Sequence, residues 1–206
     1  MKLDVGMIER KEELTKLPPF HVENALWGTE SFPKMYGYLG FVPEDAFYLK
    51  MICEEVNPLR RYKRANEPVY QDSAMEAFLM FEPVRSRLAK ELYLNLEVNA
   101  NGALLAGYGT KRTYRAYFTG AEHARFECHA EIHEKDWSAE LRIPIILLER
   151  IYGSLKLGEG SYFTCNFYKI SETKEFEHYA SYAPIHSSVP SFHVPEFFAD
   201  AEIVKL

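Results

Sequence analysis

The sequence predicts an all-β protein, an antiparallel β-sandwich of the immunoglobulin or jelly-roll kind with about ten strands and one short helix. Many short segments alternate apolar and polar residues, which is the period of a half-buried strand. Turn residues recur between these segments, as they do in sandwiches. The 206 residues suit one domain. We therefore predict a single domain over residues 1–206, with an irregular lead segment over residues 1–35.

The individual elements follow from the same alternation and its interruptions. A helix is predicted over 147–152 and ends at Gly153, a suitable C-cap. The polar stretch over 83–91 has room for one helical turn. Cys53, Cys128 and Cys165 lie in apolar runs, far apart, and we expect buried free thiols. The predicted strands lie at 36–41, 47–54, 74–81, 93–99, 103–108, 113–118, 126–133, 137–143, 162–170, 178–182 and 201–205.

The stretch over 93–108 is the clearest hairpin. Asn101-Gly102 tolerates positive φ and joins two alternating segments. Leu94, Leu96 and Val98 fall on one face of the first strand. The opposite face carries a ring, two amides and a carboxylate, namely Tyr93, Asn95, Glu97 and Asn99. This row is more polar and more varied than solubility requires.

Composition excludes several classes of partner. The chain has 24 Lys plus Arg against 30 Asp plus Glu, a net charge of −6, which argues against nucleic acid. It contains no apolar run of about 18 residues, so we expect no membrane partner. The N-terminus has no apolar signal segment. We therefore expect cytoplasmic location, or secretion if a signal has been removed. Aromatic residues reach 15%, mostly Tyr and Phe, and such a Tyr content suits half-wet binding faces.

Five segments in order resemble the family 9-like carbohydrate-binding modules, which are β-sandwiches related to the DOMON domains. They cover most of the chain from about residue 36, and the ordered set is more specific than any one motif. The segments are VYQDSAMEAFLMF (69–81), YLNLEVNANGALL (93–105), DWSAELRIPIILL (136–148), GSYFTCNFYKISE (160–172) and SFHVPEFFADAEI (191–203).

The resemblance implies non-catalytic sugar binding, often beside a polysaccharide-degrading enzyme, with no required cofactor and with structural calcium as a family feature. It implies that Tyr70 forms one aromatic wall and that Glu76, Asn99 and Asn166 bind sugar hydroxyls. Glu97 stands where those modules have a basic residue, and Lys169 stands near the position of their second ring.

The strand faces themselves point to the same chemistry. A sugar needs planar donors and acceptors beside a flat aromatic surface. Glu97 lies on the polar face of 93–99. Asn166 and Tyr168 lie on the polar face of 162–170, with Tyr162 and Thr164. Glu76 shares its face with Phe78 and Met80, so its carboxylate needs partners or its pKa rises. Arg112, Arg115 and Arg142 are candidate partners.

Other interpretations remain open from the sequence. Glu76 and Glu97 are a carboxyl pair of the kind that a glycan hydrolase uses. The sandwich face could instead pack on another protein, or could simply face water. His129, Glu131 and His133 share one strand face, which is a pattern that metal ligands can have, although a solvated charged face explains it better.

The motif at residues 192–198, Phe-His-Val-Pro-Glu-Phe-Phe, also allows two interpretations, a ligand site or a turn. His193 and Glu196 can line the edge of a ligand site. Proline and paired aromatic residues more often form and pack a turn. We therefore interpret this motif as a turn that locks the last strand.

Overall fold

A computed structural model describes residues 1–82 and 91–205. The described residues form mostly short strands, with α1 (Gly120–Ala124), α2 (Ile145–Tyr152) and three 3-10 turns. The strands are β1 (Lys2–Met7), β2 (Phe20–Val22), β3 (Asn24–Ala25), β4 (Lys34–Val42), β5 (Ala46–Glu54), β6 (Ala74–Phe81), β7 (Tyr93–Asn99), β8 (Leu104–Gly109), β9 (Arg115–Tyr117), β10 (His129–Ile132), β11 (Trp137–Pro144), β12 (Tyr162–Ser171), β13 (His178–Ser181) and β14 (Ala199–Val204). The 3-10 turns are Lys11–Lys16, Val69–Gln71 and Pro195–Phe197.

The strands form one curled sheet that packs against itself. Their order along the sheet is β10-β11-β5-β4-β1-β14-β12-β6-β7-β8-β9, with β2 beside β4 and β13 beside both β12 and β3. The rings of Phe47 on β5, Phe81 on β6 and Phe163 on β12 meet with centroids 4.8–5.4 Å apart. These rings join the two halves of the sheet in one core. The predicted all-β sandwich is confirmed.

The alternation of apolar residues is confirmed where it was clearest. Leu94, Leu96 and Val98 are fully buried in the core between the layers. The predicted helix forms as α2, and Gly153 ends it with φ of 79°. Asn101-Gly102 forms the predicted hairpin turn, with Gly102 at φ of 74°. The three cysteines are free, and only Cys128 is partly exposed.

The structure corrects four details. The lead segment over residues 1–35 is not irregular, because β1 runs parallel to both β14 and β4 and joins the two halves of the sheet. The sheet is therefore mixed, and it has more strands than the ten predicted. The predicted strand over 126–133 shortens to β10, because the chain turns out of α1 through Glu127 at φ of 44°. The polar face of β7 is buried, so the alternative that it simply faces water does not hold.

Two further expectations concern helices. The helical turn predicted over 83–91 lies, except for Glu91, outside the described residues. Among the helices that the structure does describe, none is long and apolar enough to cross a membrane.

Candidate functional site

The strand register brings the polar faces of β6, β7 and β12 together. Glu76 on β6 lies directly opposite Glu97 on β7 and opposite Tyr168 on β12. Two residues further along β6, on the same face, Phe78 lies between Asn95 on β7 and Asn166 on β12. The alternate residues of the same strands point into the core between the layers. The outer face of this half of the sheet thus carries a row of polar and aromatic side chains.

A cavity of about 140 Å³ opens on this face. Loops from distant parts of the chain cover the sheet around it, including the segment 190–193 and the loop that carries Trp27. This cover explains why the polar face of β7 is buried. The cavity is lined by Trp27, Tyr70, Glu76, Asn95, Glu97, Leu105, Arg112, Arg115, Tyr117, Ile170, Glu172, Tyr179, Pro190, Ser191, Phe192 and His193.

Glu97 is the least satisfied polar group in the cavity. Its side chain is almost completely buried, with the residue 4% exposed. Asn95 Nδ2 donates a hydrogen bond of 2.7 Å to Glu97 Oε1. Glu97 Oε2 is buried, and no donor in the described part of the chain reaches it. Burial raises the pKa of Glu97 to about 7, against the opposing effects of the Asn95 bond and the Arg115 charge. A buried acceptor without a donor is costly unless a ligand supplies one.

Glu76 lies beside Glu97 in a similar environment. The residue is 2% exposed, shares its strand face with Phe78 and is the register partner of Tyr168 on β12. Burial raises the pKa of Glu76 well above its usual range, and the negative charge of Glu97 adds to the effect. Two carboxyl groups on directly opposed residues lie close enough to repel each other when both are ionised. The pair therefore holds a proton more readily than either group would alone.

Arg115 orients the polar groups on the β7 side. Its Nε donates to Asn95 Oδ1 over 2.7 Å, and its Nη2 donates to the Tyr93 carbonyl oxygen over 2.9 Å. Its guanidinium also lies 4.4 Å from the centre of the Tyr93 ring. The amide of Asn95 is therefore fixed with its nitrogen toward Glu97. Arg112, at the outer edge, pairs with Glu172 over 3.3 Å.

Aromatic rings form the walls of the cavity. The Trp27 indole donates to the Ser187 carbonyl oxygen over 2.7 Å, which fixes its plane. Trp27 lies 5.4 Å from Phe192 and 5.5 Å from Tyr179, measured between ring centroids. Tyr70 projects from its 3-10 turn, and Tyr117 on β9 is about half exposed. The cavity thus combines flat apolar surfaces with carboxyl, amide and guanidinium groups.

His193 closes one end of the cavity. Its Nδ1 lies 2.9 Å from the Tyr93 hydroxyl, and its ring lies 5.0 Å from that of Phe78. Burial lowers the pKa of His193 to about 3, and the charges of Arg115 and Arg112 lower it further in the same direction. The imidazole is therefore neutral at ordinary pH. Residues 195–197 form the predicted turn. His193, just before that turn, lines the edge of the cavity, so each of the two interpretations holds for part of the motif.

Three of the six predicted ligand residues line the cavity, namely Tyr70, Glu76 and Glu97. The other three, Asn99, Asn166 and Tyr168, lie on the predicted face but serve the protein itself. Asn99 Oδ1 accepts from the Asn101 and Ala103 amides, which builds the hairpin turn. Its Nδ2 donates to the Tyr62 carbonyl oxygen and to Asp72.

Asn166 and Tyr168 are held by the segment that returns over the sheet. Asn166 Oδ1 accepts from the Phe167 and Ala183 amides, and its Nδ2 donates to the carbonyl oxygen of Ala183. The Tyr168 ring stacks on Phe192 at 4.0 Å and is completely buried, and its hydroxyl donates to the Phe192 carbonyl oxygen over 3.3 Å. Neither side chain has a polar atom free to meet a ligand.

Lys169 points to the other face of β12, away from the cavity. Its Nζ donates to Ser73 Oγ over 2.6 Å and contacts His178 Nε2 at 2.9 Å. Glu55 lies 3.8 Å from the same nitrogen. The departure from the family pattern at this position therefore concerns the core. Lys169 is not part of the cavity lining, although its charge acts on Glu76 through the sheet and opposes the rise in the pKa of that carboxyl group.

Metal ligands do not assemble in the described residues. Within residues 1–82 and 91–205, no group of three or more His, Cys, Asp or Glu side chains could hold a metal ion. The buried carboxylate of Asp72 receives donors from Arg61, Tyr62 and Asn99 instead. The row of His129, Glu131 and His133 is exposed and pairs internally. Structural calcium stays an expectation of the family resemblance, because carbonyl oxygens and water also bind calcium.

The sequence pointed to part of the remaining lining. Asn95 belongs to the predicted polar face, and Arg112 and Arg115 were candidate partners for Glu76. The structure places both arginines at the cavity but gives them Glu172, Asn95 and Tyr93 as partners. Arg142 pairs with Asp45 on another part of the sheet. His193 was a candidate for the edge of a ligand site. Trp27 and residues 190–192 had no such signal, because only the folded chain brings these loops to the sheet.

The fold and the cavity together define a β-sandwich module with a small ligand site on one sheet face. The family model of carbohydrate-binding family 9 matches residues 11–203, and the chain belongs to this family. A search of curated proteins gives no significant match.

Solved structures show the same fold at low sequence identity. A predicted carbohydrate-binding protein from Bacteroides uniformis is 19% identical, with 98% of each chain covered and a TM-score of 0.82. A family 9 module from Caldicellulosiruptor kristjanssonii in complex with cellotriose is 13% identical, covers 100% of this chain and 95% of its own, and has a TM-score of 0.66. The structure of a family 9 module from the same organism in complex with glucose is also 13% identical in sequence. The match covers 100% of this chain and 96% of that module, with a TM-score of 0.65.

Proposed function

We propose that this chain binds carbohydrate in the cavity on the β6–β7 face and catalyses no reaction. The observation that carries the proposal is Glu97 Oε2, a buried acceptor that no described donor reaches, at the wall of an aromatic cavity. Sugar hydroxyls supply such donors, and the ring face of a sugar supplies an apolar surface for Trp27 and Tyr70. Membership of carbohydrate-binding family 9 supports the same function.

The size of the cavity favours a single sugar unit or the end of a chain. Its 140 Å³ is well below the roughly 300–1,000 Å³ of sites for drug-sized ligands. Glu76, Glu97 and the oriented amide of Asn95 offer hydrogen bonds at one wall. Arg112, at the more exposed edge, can donate to hydroxyls that face solvent. The relatives in complex with glucose and cellotriose make neutral glucose units the first ligands to test.

Calorimetric titration with glucose and cellotriose tests the proposal. We expect saturable binding by the wild type and loss of most affinity in Glu76→Gln and Trp27→Ala. Glu134→Gln changes an exposed carboxyl group remote in sequence from the lining residues and serves as the matched control. A glycan array then extends the search to other sugars. No retained glycan on the array and no heat in the titration would contradict the proposal.

One observation favours a second function, glycan hydrolysis. Glu76 and Glu97 are directly opposed carboxyl groups with raised pKa values, and opposed Cβ atoms in a sheet lie about 4.5–5.5 Å apart. A retaining glycosidase uses carboxyl groups about 5–5.5 Å apart. Both groups here project from the same sheet face, however, whereas the acid and the nucleophile flank the scissile bond. Turnover of aryl glycosides that disappears in both Glu76→Gln and Glu97→Gln would establish hydrolysis.

A further inference from the structure

The cavity has an uneven charge balance. Three carboxyl groups line it, those of Glu76, Glu97 and Glu172, against two guanidinium groups, those of Arg112 and Arg115. Arg112 and Glu172 form a pair. When both Glu76 and Glu97 are ionised, Arg115 can balance only one of them. One negative charge is then left uncompensated in a buried environment, where it is expensive.

The guanidinium of Arg115 does not meet the unpartnered carboxylate oxygen of Glu97. Its Nε and Nη2 donate to Asn95 Oδ1 and to the Tyr93 carbonyl oxygen, and its Nη1 donates to the carbonyl oxygens of Gly109 and Lys111. Asn95 in turn donates to Glu97 Oε1, so the partnered oxygen of Glu97 is the one on the arginine side. Glu97 Oε2 lacks a described donor. The excess charge and the missing donor thus belong to the same carboxyl pair.

A ligand ammonium group fits this deficit better than a metal ion. An ammonium group carries one positive charge and three N–H donors, so it can bridge two carboxylates. A hard divalent cation such as calcium needs about six or more oxygen ligands. The described residues provide no cluster of three metal-binding side chains. A neutral sugar can satisfy the missing donor but leaves the charge unbalanced.

We propose that the site prefers sugars that carry a free amino group, whose ammonium lies between Glu76 and Glu97 and donates to Glu97 Oε2. This inference rests on the proposed function, because it assigns a class of ligand to the same cavity. The aromatic walls and Asn95 hold the sugar ring, and the carboxyl pair selects the amine. Charge-assisted hydrogen bonds are roughly twice as strong as neutral ones, which gives the amine its advantage.

Binding of the ammonium then releases a proton to the solvent. In the empty cavity, burial raises the pKa of both carboxyl groups, that of Glu97 to about 7, so the pair still binds a proton as the pH approaches neutrality. The ammonium replaces that proton, so the affinity for an amino sugar rises between pH 5.5 and pH 7. A neutral sugar shows no such rise. The titratable and charged groups that line the cavity are Tyr70, Glu76, Glu97, Arg112, Arg115, Tyr117, Glu172, Tyr179 and His193. Lys169, on the other face of β12 beside Glu55, also acts on Glu76.

Calorimetric titration at pH 5.5 and pH 7 tests this preference with four probes: glucosamine, glucose, N-acetylglucosamine and cyclohexylamine. We expect glucosamine to bind the wild type at least about tenfold more tightly than glucose at pH 7, which corresponds to one charge-assisted bond. Titrations in buffers of different ionisation enthalpy should show release of about one proton for each glucosamine bound. N-Acetylglucosamine should lose the preference, because its nitrogen carries no charge.

Variants separate this inference from the proposed function. In Glu97→Gln the ratio of glucosamine affinity to glucose affinity should fall to near one, whereas Glu134→Gln should keep the wild-type ratio. Equal binding of glucose and glucosamine without proton release overturns the amine preference alone. Failure of both sugars to bind overturns the carbohydrate site as well. Cyclohexylamine binding as tightly as glucosamine also overturns the inference, because the cavity would then select an amine without a sugar.

Discussion

β12 separates two buried polar clusters that differ in how completely their groups are paired. On its core face, Lys169 contacts Ser73, His178 and Glu55. On its outer face, Tyr168 lies in register with Glu76 and Glu97 at the cavity. Both clusters place ionisable groups out of water. They differ in that the core cluster is paired within the protein, whereas the cavity cluster leaves Glu97 Oε2 without a donor in the described residues.

The core cluster is a closed hydrogen-bond network. His178 Nδ1 lies 2.7 Å from the Phe176 carbonyl oxygen, so it carries the proton and leaves Nε2 to accept from Lys169. Burial and the Lys169 charge lower the pKa of His178 to about 4, which keeps the ring neutral. Glu55 accepts from Ser73 and from the Trp137 indole. Such a network stabilises a packed core.

The cavity cluster has the opposite character. Asn95 donates a hydrogen bond to one carboxyl oxygen of Glu97, and the other oxygen has no donor in the described residues. The folded protein thus carries a local free-energy cost at this point, as functional sites often do. The comparison indicates that the core cluster serves stability, whereas the carboxyl pair at the cavity has an unpartnered oxygen of the kind that the proposed sugar site would use. Four predictions test this contrast.

The largest effect is expected in the core cluster. Lys169→Met removes a completely buried cation and leaves Glu55 with an uncompensated charge. We expect the free energy of unfolding to fall by about 3–5 kcal/mol, as it does when one member of a buried ion pair is removed. Urea denaturation at pH 7 measures the change. Lys174→Met, at an exposed position, is the control. A loss below about 1 kcal/mol would show that the network is not needed for stability.

Glu97→Gln should raise the free energy of unfolding, whereas Lys169→Met lowers it, and the size of the gain should depend on pH. The folded-state pKa of Glu97, about 7, lies above its ordinary value of 4.5. The stabilising contribution of the protonated group is therefore present in full below pH 4.5 and is lost as the pH rises through about 7.

Glutamine does not titrate, so the variant should gain stability over the wild type above pH 7, on the order of 3 kcal/mol, and little at pH 4. Urea denaturation at pH 4, 6 and 8 follows the difference, with Glu134→Gln as the control. A gain that is equal at all three pH values would contradict the buried, protonated state of Glu97.

Removal of an aromatic wall should weaken binding without weakening the fold to the same extent. Trp27 is partly exposed, and its indole borders the cavity beside Phe192. We expect Trp27→Ala to lower sugar affinity about tenfold, in keeping with the loss of one aromatic contact. Calorimetry with glucose gives the ratio. Tyr162→Ala removes an exposed ring from the start of β12 and should leave affinity unchanged. Equal affinity of wild type and Trp27→Ala would exclude Trp27 from the site.

The smallest effect is expected for pH on the His193 imidazole. Because burial lowers the pKa of His193 to about 3, its imidazole should not titrate between pH 5 and pH 8. Proton NMR of the ring hydrogens should therefore show constant shifts for His193 over this range. The pH dependence of ligand binding then belongs to the carboxyl pair. A midpoint near pH 6 for His193 would assign that dependence to the imidazole instead.

The sequence was sufficient for the sandwich and for one wall of the site. Alternation in 93–99 identified the inward face with Leu94 and Leu96, and the same alternation placed Glu97 on the opposite face. Register with β6 could not be read from the sequence. Glu97 was identified because it lies on a polar strand face, and Glu76 was identified from the family resemblance and from its apolar neighbours Phe78 and Met80. Local patterns of this kind depend only on the period of the strand.

Other features depended on contacts between distant parts of the chain. Asn166 and Tyr168 lie on the predicted face, but the segment 183–197 covers them, and no local pattern reports that cover. Trp27 reaches the cavity because a loop from the lead segment folds over the sheet. The lead segment itself was predicted to be irregular, because β1 pairs in parallel with strands distant in sequence and has little alternation of its own.

Indole NMR during a sugar titration tests the central claim most directly. The chain contains two tryptophans, Trp27 at the cavity and Trp137 completely buried in the core. The account predicts that addition of glucose or glucosamine shifts the Trp27 indole resonance in a saturable way and leaves that of Trp137 in place. Saturable sugar binding that leaves the Trp27 resonance unchanged would contradict it, because the sugar would then occupy another part of the molecule.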